Sequence, residues 1–245
     1  AMQVVPPEAV ADWFTPEEPG PVIHAHITAS GVGRCRVDRW PNPRTVLAEL
    51  PDNVSCRGEP VAVPDLAGFV QAPPEWLPAL RRVDPGTTIW PRVIAQLPAE
   101  VEVPAPSSDL ELRRLGSTDA AAVAELDPAI AWIGKSWGGP AGLAASGLAW
   151  AAFDDGRIVS VACPFFVGTR YEDIGVVTDP RFRRRGLSTS CAAALVADIR
   201  ARGRVPTWTT SPDNVGSLGV AAALGFRRVR EDVLYAVRTP IPTAT

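Results

Sequence analysis

The chain has 245 residues, a formal net charge of −3, 46% apolar residues and 21% charged residues. That balance excludes a disordered chain, which carries fewer apolar residues and more net charge, and it suffices for one large domain or two of ordinary size. It also excludes a general nucleic-acid surface, which needs a basic face.

No stretch approaches the ~18 apolar residues of a membrane helix. The start lacks the basic and apolar regions of a signal peptide. The expected location is cytoplasmic, with no membrane partner. Cys35, Cys56, Cys163 and Cys191 lie far apart with no CxxC pair, so free buried thiols are expected. With His24 and His26 as the only histidines, no metal site is expected.

Proline and charge divide the chain. Residues 1–110 hold 18 of the 26 prolines. Residues 1–107 carry 8 basic and 13 acidic groups, a net of −5; residues 108–245 carry 16 and 14, a net of +2. The change falls at Val103-Pro-Ala-Pro-Ser-Ser108, a Pro/Ser linker of the kind found between domains. The reading is a mixed α/β domain over 1–105 and a second domain over 106–245.

In the first part, Val22–Ala29 and Gly33–Arg39 read as strands joined by a Gly-containing turn. Arg44–Leu50 and Pro60–Val63 are weaker strand or helix candidates. Leu66–Val70, Glu75–Arg82 and Thr88–Gln96 read as short helices between proline interruptions. His24 and His26 would share one strand face, in a structural role.

The second part has clearer elements. Ser117-Thr-Asp119 caps a helix through Glu125, and Trp132–Gly147 is partly helical. Leu148–Phe153, Asp154-Asp-Gly156 and Arg157–Val167 read as a β-hairpin, and Tyr171–Val177 as a strand. Gly186–Arg202 is a helix with Ala192, Leu195, Val196 and Ile199 on one face. Val205–Thr210 is a strand, Asn214–Leu224 a helix ended by Gly225, and Arg228–Val237 the last strand. Such an order requires a mixed sheet, with hairpins first and helix crossovers later.

The chemistry concentrates in Asp173–Ser188. A buried strand feeds a loop with Arg181, Arg183, Arg184 and Arg185, and Gly186 stands at the mouth of an amphipathic helix. A helix start offers unpaired N–H groups and partial positive charge, which favour phosphate. Neither a Walker loop nor a Rossmann turn is present.

Arg183-x-x-Gly186-x-Ser188 resembles the Q/R-x-x-G-x-G/A motif of GNAT-superfamily acetyltransferases, in the same place between strand and helix. Asn214-x-x-Ser217…Ala223-Leu-Gly225-Phe226 resembles that family's later signature. The resemblance covers about residues 109–238. It implies an α/β (α+β) fold with a mostly antiparallel twisted sheet flanked by helices, preceded here by a smaller mixed α/β domain, for which a degenerate GNAT-like lobe is one reading. It implies an acetyl-CoA site: N–H groups from Arg184, Arg185, Gly186, Leu187 and Ser188 on the pyrophosphate, Arg183 nearby, and the main chain of Val176, Val177 and Thr178 on the pantetheine arm. Asn214 and Ser217 would border it. A β-bulge on the strand Ile174–Thr178, eased by Gly175, would aim an N–H near Val176 at the oxyanion.

The family's base points to Asp173, or to its neighbour Glu172 on the opposite strand face. The family's usual Tyr acid is replaced by Ala221; Ser217 or Tyr235 are substitutes, or the thiolate leaves unaided. Trp137, Trp150, Phe165 and Trp208 are candidate walls of an aromatic pocket for an amine, with Trp137 on a mobile loop. The expected activity is N-acetylation of a small primary amine by a monomer or homodimer. The alternatives are a protein or aminoacyl-tRNA acceptor, or a non-catalytic acyl-CoA-binding module.

Overall fold

The computed structural model describes residues 1–243. Strand β1 (Gln3–Val5) leads through a 3-10 segment (Pro7–Phe14) to helix α1 (Ile23–Ser30). There follow β2 (Arg34–Val37), β3 (Thr45–Leu50), β4 (Asn53–Gly58), β5 (Gly68–Gln71), α2 (Leu77–Val83) and β6 (Thr88–Gln96). Past the linker come β7 (Glu111–Arg114), α3 (Ala120–Ala124), a 3-10 segment (Ala131–Trp137), α4 (Pro140–Ala145), β8 (Trp150–Asp154), β9 (Arg157–Val167) and β10 (Tyr171–Thr178). The chain ends with α5 (Leu187–Ala201), β11 (Val205–Thr210), α6 (Val215–Leu224) and β12 (Arg227–Val237).

The second half matches its expected elements apart from β7, an unforeseen edge strand at Glu111–Arg114; the first departs further. Val22–Ala29 is helical, because Ile23, His26 and Ile27 bury one helix face and Gly31 closes the helix at φ +72°. Leu66–Val70 and Thr88–Gln96 supply strands β5 and β6, not helices. Val93, Ile94 and Ala95 are buried in succession, as in a strand covered on both faces. Such a run has no period to separate it from a buried helix. Asn53–Gly58 is an unforeseen strand, and Pro60–Val63 belongs to no element.

All twelve strands form one sheet, ordered β1-β2-β3-β4-β5-β12-β6-β11-β10-β9-β8-β7. β1 to β4 pair antiparallel in succession, and β4 pairs with β5 in parallel. β7 to β10 pair antiparallel in succession, and β10 pairs with β11 in parallel. The two halves thus repeat one pattern. Each half then gives its last strand to the other. β6 pairs with β11, and β12 pairs with β5, while β6 and β12 pair together at the centre. The sheet is therefore continuous across the linker.

α1, α3 and α4 cover one face of the sheet; α2, α5 and α6 cover the other. The halves also meet through side chains. His26 of α1 is fully buried: its Nδ1 accepts from Val167 N–H (3.0 Å), so the proton sits on Nε2, which donates to the Ser136 carbonyl (2.8 Å). The Glu17 carboxylate takes three main-chain N–H groups of the β9–β10 turn, from Thr169, Arg170 and Tyr171. A Cβ at Gly168 would stand 2.3 Å from Glu17 Oε1, so this clamp requires glycine. Cys35, Cys56, Cys163 and Cys191 are all buried free thiols.

Candidate active site

The site begins where two strands part. β10 and β11 pair from Tyr171↔Val205 to Ile174↔Trp208 and no further, although β10 runs on to Thr178 and β11 to Thr210. β9 stays paired with β10 to the end, at Thr178↔Ser160. From Gly175 to Thr178 the main chain therefore has no strand partner on the β11 side. A buried strand edge without a partner is a template for an extended ligand.

A bulge sits at this point, on the neighbouring strand. Asp173 faces Phe166 and Ile174 faces Pro164, so Phe165 of β9 is the extra residue. That corrects the expectation of an extra residue within Ile174–Thr178. Gly175 still answers to the bulge: a Cβ there would stand 3.1 Å from both Phe165 Cβ and Ile133 Cδ1. Trp132, 44% exposed, meets the Phe165 ring edge-on at 5.6 Å.

The Arg-rich loop follows. Asp179 caps its 3-10 turn by accepting from Arg181 N–H, and its carboxylate also holds the Arg181 guanidinium. Arg185 meets Asp109 at 3.3 Å, whereas Arg183 and Arg184 are exposed with no carboxylate partner among the described residues. Arg184 (φ +62°) and Gly186 (φ +73°) are both left-handed, which turns the chain sharply into α5. Nothing lies within 4 Å of the Cβ position at Gly186. The first N–H of α5 to find a helical acceptor is that of Ser190, on Gly186 O. Leu187, Ser188 and Thr189 precede it and direct their N–H groups at the helix mouth. Ser188 Oγ and Thr178 Oγ1 lie 2.6 Å apart, tying the end of β10 to the first turn of α5. Open space, free donors and unpaired guanidinium groups fit a bulky polyphosphate.

Asp173 precedes the last β10–β11 pair and is only 4% exposed. Its Oδ1 accepts from Thr207 Oγ1 (2.6 Å) and Thr209 Oγ1 (3.0 Å); its Oδ2 bonds to no protein group among the described residues. Burial pushes its pKa up to about 6, against the pull of the two hydroxyls and of Arg92 and Arg230. A carboxylate that titrates near 6 is mostly ionised at neutral pH and, with one free oxygen, is suited to take a proton. Thr207 and Thr209 were missed from sequence. Their alternation on the strand beside Asp173 was the available signal.

The other candidates are placed as follows. Glu172 is a correction: it is fully buried on the opposite face, held by Arg202 (2.7 Å) and Arg204 (3.1 Å), and has no free oxygen for proton transfer. Tyr235 is a second correction. It sits on β12 opposite Val70, in the core under α2, with β6 and β11 between it and β10. Trp150 is a third: it packs on the α5 side near the outer edge, with Nε1 on Asp198 Oδ2 (2.8 Å). Trp208 is buried on that same side against Phe226, and its Nε1 donates to Ser217 Oγ (2.9 Å). Asn214 caps α6 by accepting from Ser217 N–H. Trp137 is no mobile loop residue. Its Nε1 donates to Pro164 O (3.0 Å), its ring meets His26 edge-on, and a Cβ at Gly142 would collide with its carbonyl at 1.8 Å. Val176, Val177 and Thr178 form the unpaired run of β10.

A family model described as GNAT acetyltransferase matches residues 88–235, more than half of the chain. The chain belongs to this family. As a GNAT acetyltransferase it is an acyltransferase, and its match begins at β6, the strand that the first half lends to β11. It is 42% identical over 198 residues to an uncharacterized N-acetyltransferase of Streptomyces virginiae, covering 78% of this chain and 84% of that one. Solved structures share the GNAT fold. A GCN5-related N-acetyltransferase-like protein from Streptococcus suis superposes with a TM-score of 0.72 at 17% identity, over 95% of this chain and 98% of that one. A tandem GNAT protein from the clavulanic acid biosynthesis pathway superposes with a TM-score of 0.56 at 14% identity, over 99% of each chain. No helix among the described residues is long and apolar enough to cross a membrane.

Proposed function

We propose that this GNAT acetyltransferase is a cytoplasmic enzyme that moves an acetyl group from acetyl-CoA directly to a small primary amine, acting as a monomer or homodimer. The observation that carries the reading is the unpaired run Gly175–Thr178 next to the free start of α5. The N–H groups of Gly186, Leu187 and Ser188, with Arg183 and Arg184, would hold the pyrophosphate. Val176, Val177 and Thr178 would take the pantetheine arm along their main chain. Acetyl-CoA supplies the acetyl group as an activated thioester.

The chain's own residues supply position and proton transfer. The Val176 N–H stands at the opening, where developing negative charge needs a donor. Asp173 receives the proton that the amine must lose, through Oδ2. Phe165, with Trp132 against it, walls the acceptor side of Gly175, and Trp137 backs that wall from Pro164. An aromatic wall suits an ammonium group before deprotonation. Ala221 stands where the family commonly has its Tyr acid, so the thiolate leaves unaided, as a thiol pKa of about 8.5 permits.

In the same reading, residues 1–105 are a degenerate GNAT-like lobe and residues 106–245 the catalytic unit. The repeated strand pattern and the tandem GNAT structural neighbour support it. A panel of amines screened for CoA release tests the activity. Turnover with small amines, and none with peptides or aminoacyl-tRNA, is the expected result. Ala221 favours one rival, an acyl-CoA-binding module without transfer, and a burst of free CoA with any amine overturns that rival.

A further inference from the structure

A cavity of about 870 Å³ lies between the first half and the β9–β10 turn and β12 of the second. It lies where β4 and β5 part. Their pairing ends at Ser55↔Gln71, and both residues line the cavity. None of Gly175–Thr178 borders it, so it is separate from the opening between β10 and β11. Its volume is that of a pocket for a small organic molecule.

One half-buried charged group on its wall lacks an ionic partner. Arg57 donates through Nη1 to Ser55 Oγ (2.8 Å) and to its neighbour's carbonyl, Cys56 O (3.0 Å), which fixes the plane of the guanidinium. The Nε–Nη2 edge makes no hydrogen bond, and no carboxylate lies within ion-pair distance among the described residues. Three other buried or half-buried arginines use this same edge as a fork. Arg36 takes Glu49, Arg92 takes Asp232 and Arg202 takes Glu172, each through Nε and Nη2 together. Arg57 is set up in the same way with the carboxylate missing. Burial lowers its pKa, the direction expected of an uncompensated buried cation. Its guanidinium also stands 5.1 Å over the Phe14 ring, whose other neighbour is the stacked His24 ring at 4.7 Å.

The geometry points to a second ligand site in this cavity, for a small monocarboxylic acid with an apolar body, seated by the free edge of Arg57. A carboxylate fits that fork with two parallel bonds. Phe14, Val22, Ile23 and Ala72 supply apolar wall for the rest of the molecule. A phosphate suits the place less well. Arg204 and Arg230 also line the cavity, but Arg204 is paired with Glu172 and Arg230 with Asp232 and Glu18; with Glu8 and Glu17 on the wall as well, the one unpaired guanidinium balances one negative charge rather than two.

The test is calorimetry on the full chain with phenylacetate and its neutral counterpart phenylacetamide. Phenylacetate should bind, and the amide at least tenfold more weakly. Arg57→Gln should weaken phenylacetate at least tenfold while acetyl-CoA affinity stays within twofold. Thr28→Trp, at an exposed position on the cavity wall, should block phenylacetate without touching Arg57 and decides the matter if Arg57→Gln does not fold. Four results overturn the proposal: no phenylacetate binding, equal binding of acid and amide, either variant binding as the parent does, or displacement of phenylacetate by acetyl-CoA. Acetyl-CoA binding is a separate readout, so failure of this site and failure of the acetyl-CoA site are distinguishable.

Discussion

The two halves of the sheet share a pairing pattern and differ in what connects their parallel strands. Between β10 and β11 run the Arg-rich turn and the fifteen-residue helix α5. Between β4 and β5 run only residues 59–67, with no helix. On β10 the residue beside the split on the α1 face is Asp173; on β4 it is Ser55, bonded by Arg57. Trp76 is fully buried and donates to Gly58 O (3.1 Å), which bridges the end of β4 to the chain after β5. On the α2 face the first half is thus closed where the second is open, and the cavity at the split opens on the α1 face alone. The frame of the sheet does not need the proposed phosphate seat or the Asp173 carboxylate; those are additions that one half carries.

Matched substitutions in the two halves put that contrast to work. The largest effect is expected at the phosphate seat. Gly186→Glu places a carboxylate at the helix mouth and a side chain at φ +73°, and calorimetry should show acetyl-CoA affinity down by more than 100-fold. The same charge added to the first half's connection, Val61→Glu at an exposed site, should change that affinity less than twofold. An equal loss at both places would end the contrast.

Next in size is the proton acceptor. Asp173→Asn should lower kcat at least tenfold and leave KM for acetyl-CoA within twofold. The parent's rate should fall with acidity below about pH 6 as Asp173 gains its proton, and this limb should vanish in the variant. Ser55→Ala, on the matching face of β4, should leave kcat unchanged. A normal acid limb in Asp173→Asn removes it as the base.

A stability effect follows at the junction of the halves. Burial depresses the pKa of His26 to about 4, against the pull of the hydrogen bond to Ser136 O; a second ring proton would also oppose the Val167 N–H. The unfolded chain takes up that proton near 6.5 and the folded one does not, so stability is full above pH 6.5 and falls as pH drops toward 4. The expected loss is about 3 kcal/mol, read from denaturant midpoints across that range. His26→Gln should flatten this limb; an unchanged pH profile in the variant refutes the assignment. The smallest effect is expected for Ser217→Ala. It leaves Trp208 Nε1 unpaired, at a cost of about 1 kcal/mol. With the thiolate leaving unaided, kcat should stay within twofold; a tenfold fall would make Ser217 the acid.

Sequence reading served the two halves unequally, for physical reasons. In the second half, caps and turns stand where the periodicity changes: Asn214 before α6, Gly225 after it, Asp155-Gly156 between β8 and β9. The loop of the proposed phosphate seat could be singled out because Arg183, Gly186 and Ser188 lie within six positions of the chain. In the first half, β6 lies at the sheet centre, and burial on both faces erases its alternation. The surroundings of Asp173 were hidden for another reason. Thr207, Thr209, Arg92 and Arg230 reach it from three other strands, and only the pairing order brings them together. Tyr235 and Trp150 misled because residue type gives chemistry without place.

The reciprocal loan of β6 and β12 makes the chain an interlocked pair rather than two beads on a string. Cutting the linker near residues 103–108 would leave each fragment with a sheet whose inner edge has lost its partner and with a last strand detached from that sheet. The first fragment would keep β6 without β11, and the second would keep β12 without β5. Each would expose a long raw edge, the state that drives strand-to-strand aggregation. Neither fragment should persist alone, yet mixed together they hold every partner that the sheet requires. Co-expression should therefore rebuild the protein from its severed parts, and neither half can be lost or replaced without carrying the other with it.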